Sequence, residues 1–369
     1  MRLLQKECGK CLRHPFLWIV CITFGLFQFL SIYTYVGNAG MRKELRQMHV
    51  AVTDEETASP EYESAYADYK KTYGGMYDTL DMHKILEQKE KKSGYEPQGV
   101  WGSWIVRNYD RLQKRVEQIR KTGEGTYAFY PGNWYKLHTT LYGKLWKKLI
   151  LQTAVLMILS MLYLMDYERI YKTQDLVLAT TTGKKMMEKK MLAGTLCGLF
   201  YAGLLTVFTL LVFFAAVPFQ NLWHVPVAAC MVAEPRLQMM YPFVTFWRLE
   251  QWRYLLLALV VLVGLLGIVA AVTAAVQLFL QNSYFSFAVL GLLFMGAYLL
   301  AYVQMGNVWD LIRELFNPTV LYATSGGWFM ENDLCLSFAG NEFAVLFCSG
   351  TAAVCLMAVG KRRYHRLEV

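Results

Sequence analysis

The sequence has few charged residues for its length. Only 18% of its 369 residues are Asp, Glu, Lys or Arg, whereas 55% are hydrophobic, and the mean hydropathy is +0.26. A soluble chain of this size carries roughly a quarter charged residues. The shortage argues against an ordinary soluble domain and predicts that much of the chain is solvated by lipid.

The sequence also lacks the motifs of catalysis and metal binding. It contains no glycine loop ending in Gly-Lys-Ser/Thr, no His-Glu-x-x-His and no nucleophilic serine elbow. Cys8 and Cys11 form a Cys-x-x-Cys pair, but no second pair accompanies them, so a structural or incidental role is favoured. We therefore expect no catalytic residue, no metal site and no resident cofactor, and a membrane enzyme is the least favoured class.

Six apolar runs are long enough to cross a hydrocarbon layer about 30 Å thick, which takes roughly 20 helical residues. The runs are 16–36, 148–165, 191–217, 254–280, 285–303 and 343–360. The first run is longer than the apolar core of a signal peptide and lacks an Ala-x-Ala site, so a membrane span is favoured over a cleaved leader. The short link from Gln281 to Tyr284 predicts a tight helical hairpin. The expected fold is an all-α polytopic membrane protein with six transmembrane helices.

Lysine and arginine cluster beside alternate runs, which sets the expected topology. They are dense in 1–15, 166–190 and 361–369 and sparse in 218–253 and 304–342. The positive-inside rule then places both termini in the cytoplasm of a multi-pass cell-membrane protein. Residues 37–147 become an extracellular insertion, because long loops cross regardless of charge. Topology thus accounts for the formal charge of +9, and we expect membrane lipid but no nucleic acid as a partner.

The insertion shows two helical patterns. Tyrosines recur at a spacing of three or four, at Tyr62, Tyr66, Tyr69, Tyr73 and Tyr77, after Ser59-Pro60. A second apolar face, formed by Trp101, Ile105, Leu112, Val116 and Ile119, stops near Gly123. We expect the two helices to pack as a hairpin whose aromatic stripe is the core of a small domain; a wall that holds a peptide or lipid is the alternative. The insertion has no cysteine, and Cys230 with Cys335 is the conceivable bridge on this side.

Two further segments have recognisable patterns. Residues 304–342 combine a short helical run with Asn317-Pro318 and a glycine turn, which predicts short helices that dip back into the outer leaflet against protein. Residues 1–15 alternate apolar and basic residues at helical spacing before Pro15, which predicts an amphipathic connecting helix on the inner surface. A basic flank that only sets topology is an equal alternative for this leader.

The inner loop 166–190 resembles the coupling region of ABC-2 type transporter permeases. In that family an acidic residue after the second span precedes a short helix, a Leu-Leu-x-Thr-like segment, a turn with a base, and a lysine that opens the third span. Glu168, Leu176 to Thr180, Gly183-Lys184 and Lys190 occupy these places. Thr181 or Thr182 replaces the family's usual proline. The leader with Glu7, the six-span layout and the large insertion are similar to one branch of the family.

The resemblance implies the membrane subunit of a bacterial ABC exporter that moves a peptide, lipid, drug or ion. Separate ABC ATPase subunits would bind ATP, and a second permease chain, identical or paralogous, would complete the pathway. Spans three to five carry no charged residue for an ion-coupled relay, so the energy source must be another subunit. The implied ATPase-coupling residues are Glu168, Leu176, Leu178 and Lys184, supported by Glu7 and Arg13. A docking loop is favoured over an ordinary solvated loop.

The alternative function is a non-transporting sensor or assembly factor. Its extracellular helical domain would bind a peptide or an envelope component. A neighbouring ATPase gene favours transport, whereas a neighbouring kinase or cell-wall enzyme favours sensing.

Overall fold

The regular structure of this chain is helical. A computed structural model describes residues 2–38, 64, 67–68, 71, 75–93, 99–126, 134–173, 183–217, 219, 222–231, 242–303, 308–331 and 338–367. Within these residues there is no β-strand, and the β-type pairs are two isolated bridges, Pro226 with Glu250 and Thr245 with Met330. The predicted all-α polytopic architecture is confirmed.

The α-helices are numbered in chain order. They are α1 (Arg2–Leu12), α2 (Pro15–Gly37), α3 (Met82–Ser93), α4 (Gly99–Thr122), α5 (Trp134–His138), α6 (Trp146–Met165), α7 (Tyr167–Ile170), α8 (Gly183–Ala216), α9 (Val227–Cys230), α10 (Gln251–Leu280), α11 (Ser283–Ala301), α12 (Val308–Leu315), α13 (Thr319–Ala323) and α14 (Asn341–Leu367). A π-helical turn, Thr139–Leu145, joins α5 to α6 without a break.

Six helical segments in the described part of the chain are long and apolar enough to cross a membrane. They are Pro15–Gly37, Lys136–Met165, Met186–Ala216, Gln251–Leu280, Ser283–Ala301 and Asn341–Tyr364. We refer to them as spans one to six. Successive spans run in opposite directions, so α1, α7 and the α10–α11 link share one end of the bundle, which we call the α1 end. We call the opposite end, which carries α3, α4, α12 and α13, the far end.

Span two begins earlier than the predicted run. Its helix is continuous from Lys136, whereas the hydropathy pattern starts at Lys148. Lys144 and Lys147 lower the hydropathy of this stretch, but Leu141 and the side chains beside it are buried in the bundle. The turn is held by a π-type bond, because the N–H of Trp146 donates to the carbonyl of Leu141. Tertiary burial therefore extends the helix into residues that composition assigns to the insertion.

Spans four and five form the predicted tight hairpin. Gln281 adopts a left-handed conformation with φ of 50°, and its N–H closes α10 on the carbonyl of Gln277 at 2.8 Å. Asn282 caps α11, since its Oδ1 accepts from the N–H groups of Tyr284 and Phe285, each at 3.1 Å.

Spans two and three approach closely along two glycines. A Cβ built on Gly194 would lie 3.0 Å from the Cα of Met161, and one on Gly198 would lie 3.0 Å from the Cα of Met157. The Gly-x-x-x-Gly spacing thus leaves room for the backbone of the neighbouring helix. Spans two and three therefore form a closely packed pair.

The far-end domain, which we define by α3, α4 and the residues packed on them, contains one of the two helices of the predicted hairpin. Helix α4 has the expected buried face, with Leu112, Val116 and Ile119, and it ends before Gly123. Among the described residues, α4 packs against α3, and Tyr77 lies in a turn. Tyr62, Tyr66, Tyr69, Tyr73 and the side chain of Trp101 lie outside the described residues.

Helices α12 and α13 pack against the sides of spans five and six, at positions inside those helices and not at their ends. Ser349, eight residues or about 12 Å into α14, donates its hydroxyl proton to the carbonyl of Leu315 at 3.0 Å. Asn317 Nδ2 donates to the carbonyl of Ala297 at 2.8 Å. The short helices thus contact protein, as expected for a segment that dips toward the bundle. Cys230 is a free buried thiol, and Cys335 lies outside the described residues.

Candidate coupling site at the α1 end

A cluster of four charged side chains, three of them buried, lies where α1, α7 and α8 meet. Glu168 accepts from Lys10 Nζ at 3.1 Å and forms an ion pair with Lys190. Lys10 also contacts Glu7 Oε1 at 2.6 Å. The side chains of Glu168 and Lys190 are only 7% and 6% exposed. We call these four residues the α1-end cluster.

Local structure places each member of this cluster. Glu7 and Lys10 are three residues apart on α1 and so share one face of that helix. Glu168 follows span two almost directly, and its carbonyl accepts from the N–H of Thr173 at 2.8 Å, which turns the chain back. The Lys10 ammonium also lies 4.4 Å from the ring centroid of Tyr167. A cation beside an aromatic face gains further electrostatic attraction.

Two carboxylates and two ammonium groups make the cluster formally neutral. Removing an ion from water costs several kcal/mol, and only a close, well-paired partner offsets that cost. Loss of one member would leave another charge buried without compensation. The cluster therefore specifies one docked position of α1 against α7 and α8.

Further contacts fasten α1 and the hairpin of spans four and five to the same end. Tyr201 on α8 donates its hydroxyl proton to the carbonyl of Cys11 at 3.4 Å, and Cys197 Sγ lies 3.8 Å from the carbonyl oxygen of Cys8. Asp166 Oδ2 accepts from the Ser283 hydroxyl at 2.9 Å. Three parts of the chain, distant in sequence, thus meet around the end of span two.

The Cys8–Cys11 pair lies inside this contact. Burial raises the pKa of the Cys8 thiol to about 11, so the thiol stays protonated at neutral pH and is a weak nucleophile. Among the described residues no group of His, Cys, Asp or Glu side chains is arranged to hold a metal ion. The pair is used here for packing.

The structure brings two of the sequence-predicted residues together. Glu7 and Glu168 are joined through Lys10, whereas Arg13 is exposed at the turn between α1 and α2. Lys184 lies in the first turn of α8, and its side chain is outside the described residues, as are Leu176 and Leu178. Glu168 is ion-paired within its own chain, so any effect of Glu168 on a partner passes through α1 and α8.

Sequence reasoning missed Lys10 as the link and Asp166 as an anchor. The spacing of Glu7 and Lys10 by three residues is a local signal for an ion pair on a helix. The pairing of Lys10 with Glu168, 158 positions apart, leaves no such local signal.

Comparison with known proteins does not identify the chain. No protein family, curated protein or solved structure matches it. The geometry of the α1-end cluster and the pattern of the sequence are therefore the basis for a functional assignment.

Proposed function

We propose that this chain is the transmembrane permease subunit of an ATP-binding-cassette exporter. Its α1 end and both termini face the cytoplasm, where separate ATPase subunits bind and hydrolyse ATP. A second permease chain completes the pathway, and the cargo is a peptide, lipid, drug or ion. The observation that carries this proposal is the buried α1-end cluster.

The cluster supports coupling because two of its members flank residues 174–182 in the sequence. Helix α7 with Glu168 precedes this stretch, and Lys190 follows it on α8. Glu168 and Lys190 are paired, and Lys10 adds α1 to the same contact. A partner that pulls on residues 174–182 therefore acts on α1, span two and span three together. Spans two and three share the close glycine packing, which transmits such a displacement along the bundle.

Each predicted coupling residue has a physical role in this proposal. Leu176 and Leu178 supply apolar contacts and Lys184 a charge for a groove of the ATPase, as an amphipathic segment docked in a partner does. Glu7 and Glu168 are positioning residues that hold the docking segment to the spans. The exposed Arg13 is available to a partner at the same end. Approach of two ATPases on binding ATP would then shift both permease chains.

Co-purification with an ABC ATPase tests this proposal. The chain would be captured from membranes of its source cells, and partners would be identified by mass spectrometry together with ATPase activity. We expect an ATPase to co-purify and to be lost from the variants Leu176→Asp/Leu178→Asp and Lys184→Glu. Lys121→Glu, an exposed charge reversal on α4 at the far end, is the matched control and should retain it.

Charge reversal of Glu168 separates positioning from docking. Glu168→Lys places a third ammonium group beside Lys10 and Lys190, so we expect α1 to detach and Cys8 to become reactive toward a maleimide. The docking variants at Leu176, Leu178 and Lys184 should leave Cys8 protected while the ATPase is lost. Unchanged ATPase assembly and stimulation in both sets of variants would contradict the proposal.

The folded far-end domain favours one other candidate, a sensor or assembly factor. Helices α3 and α4 form a small core with Ala228 and Val244 of the loop between spans three and four, which is a rigid platform for a ligand. A kinase or cell-wall enzyme encoded beside this chain, with no ATPase recovered, would favour this second function.

A further inference from the structure

Two lysines are exposed on the outer side of span two. They lie along the span, several residues from the end of the helix at the far end of the bundle. Lys144 and Lys148 are exposed and lie four residues apart, so they share one face of the helix. Lys148 Nζ donates to Ser31 Oγ of span one at 3.1 Å and lies 5.2 Å from the ring centroid of Phe27. We call Lys144, Lys148 and Ser31 the lysine cleft.

The depth of this cleft is unusual for an ammonium group. Ser31 lies six residues before the end of α2, which is about 9 Å along the helix axis. Tyr33 and Tyr35, the residues of the type expected at headgroup level, are nearer that end. Lys148 therefore approaches span one below the aromatic belt.

The surface around the cleft is apolar. Phe27, Leu30 and Leu151 are 50%, 57% and 40% exposed, as expected for side chains that face acyl chains. An ammonium group in such surroundings needs a counter-charge, because water is scarce and the isolated ion is poorly solvated. Within the described residues, no carboxylate lies within ion-pair distance of Lys144, Lys147 or Lys148.

The donors of Lys148 are only partly used. An ammonium group has three N–H donors, and the Ser31 hydroxyl accepts one of them. The Phe27 ring attracts the charge but accepts no conventional hydrogen bond. Lys144 is one turn nearer the far end and has a long flexible stem that reaches toward the interface. Lys144 thus lies nearer to headgroup depth, and Lys148 lies deeper along the span.

We propose that the lysine cleft binds the phosphate of an anionic phospholipid from the leaflet at the far end. The phosphate accepts hydrogen bonds from Lys144 and Lys148, and the acyl chains lie along Phe27, Leu30 and Leu151. A phospholipid fits better than a soluble anion because the donors open toward lipid-exposed apolar side chains. This inference rests on the membrane placement of spans one and two and is independent of any ATPase partner.

Lipid retention measured by native mass spectrometry tests the proposal. The purified chain would be released from nanodiscs containing equal amounts of phosphatidylglycerol and phosphatidylcholine. We expect wild-type protein to retain phosphatidylglycerol preferentially, and Lys144→Gln/Lys148→Gln to lose that preference. Each lysine is expected to contribute about a fivefold effect on apparent affinity, a typical value for a base near anionic lipid.

Matched variants keep the test decisive. Lys114→Gln/Lys121→Gln removes two exposed charges from α4, away from the spans, and should retain the preference. Lys144→Arg/Lys148→Arg keeps both charges and should also retain it. If the double glutamine variant fails to fold, Lys144→Gln alone, whose side chain has no described polar contact, should still lower retention about fivefold.

Three results would overturn the proposal. The first is equal retention of phosphatidylglycerol by wild type and the double glutamine variant. The second is displacement of the lipid by millimolar inorganic phosphate, which would indicate a soluble-anion site. The third is unchanged lipid retention with loss of a dimer in the double glutamine variant, which would assign the lysines to a contact between two copies of the chain.

Discussion

Buried charge is used differently at the two ends of this molecule. At the α1 end, Lys10 and Lys190 converge on Glu168 and so join three helices from distant parts of the sequence. At the far end, Arg115 pairs with Glu124, only nine residues away, with Nη1 to Oε1 at 3.1 Å. The first arrangement joins three helices through one carboxylate, whereas the second fixes the end of α4 against the neighbouring loop. A separate far-end pair, Lys89 with the buried Glu331, links α3 to the segment before α14.

The apolar contacts differ in the same direction. The far-end domain has a core of its own, with Leu112, Val116 and Ile119 packed against Ala228 and Val244. Arg115 Nε also donates to the carbonyl of Thr245 at 3.2 Å. The Arg115–Glu124 pair therefore orients a contact that apolar burial already stabilises. At the α1 end, the ion pairs join α1, α7 and α8 in addition to the apolar packing of α1 through Cys11 and Leu12. We infer that charge substitutions act most strongly at the α1 end and apolar truncations at the far end.

The largest effect is expected at the α1 end. Glu168→Gln removes the ion-pair partner of the buried Lys190 and should lower the free energy of unfolding by about 3–5 kcal/mol, the usual cost of breaking a buried pair. Thermal unfolding of the detergent-solubilised protein measures this change. Glu188→Gln, in an exposed pair with Lys361, is the control and should change stability by roughly 0.5 kcal/mol or less. Equal effects of the two variants would show that the buried pairs of Glu168 add no more stability at the α1 end than an exposed pair does.

A smaller effect is expected from the core of the far-end domain. Leu112→Ala empties a fully buried position and should cost about 2–4 kcal/mol, because the core loses apolar contacts and gains a cavity. Hydrogen exchange should increase in α3 and α4 while α1 stays protected. Val106→Ala, on the same helix but 41% exposed, should leave exchange nearly unchanged. Increased exchange in α1 would show that the two ends unfold as one unit.

The smallest effect is expected where the far-end loops touch span two. A Cβ on Gly326 would lie 3.0 Å from the Cα of Gly143, inside the π-helical turn. Gly326→Ala should therefore push the two backbones apart and cost about 1–3 kcal/mol. Gly291→Ala, where a Cβ meets nothing within 4 Å, is the control for thermal unfolding. An unchanged melting temperature for both variants would mean that the contact adjusts without strain.

Much of the fold follows from local pattern, whereas most of the site does not. The spans are predictable because each apolar run is solvated by lipid as a unit, and Asn282 marks the hairpin through a local capping bond. The hydropathy pattern does not show where span two starts, because lysines share that part of the helix with buried apolar residues. The pairing of α4 with α3 depends on which surfaces meet, and no local pattern of the sequence selects it.

For the site, the sequence singled out Glu7 and Glu168 but not the residue that joins them. The spacing of three residues marks Lys10 as a partner of Glu7, but nothing in the sequence marks Lys10 as a partner of Glu168. The buried position of Glu168 became evident only when α1 and α8 were packed around it.

The sequence by itself determined which segments are apolar enough for lipid, and therefore the number of spans. It also determined that the connecting segments are alternately rich and poor in lysine and arginine. These properties depend on composition and spacing alone, since transfer of a helix into lipid is a local equilibrium. Only the tertiary structure decided which charges are paired, where α1 docks and which lysines of span two are left exposed. Those outcomes depend on distances between residues far apart in the chain, and helix packing alone sets such distances.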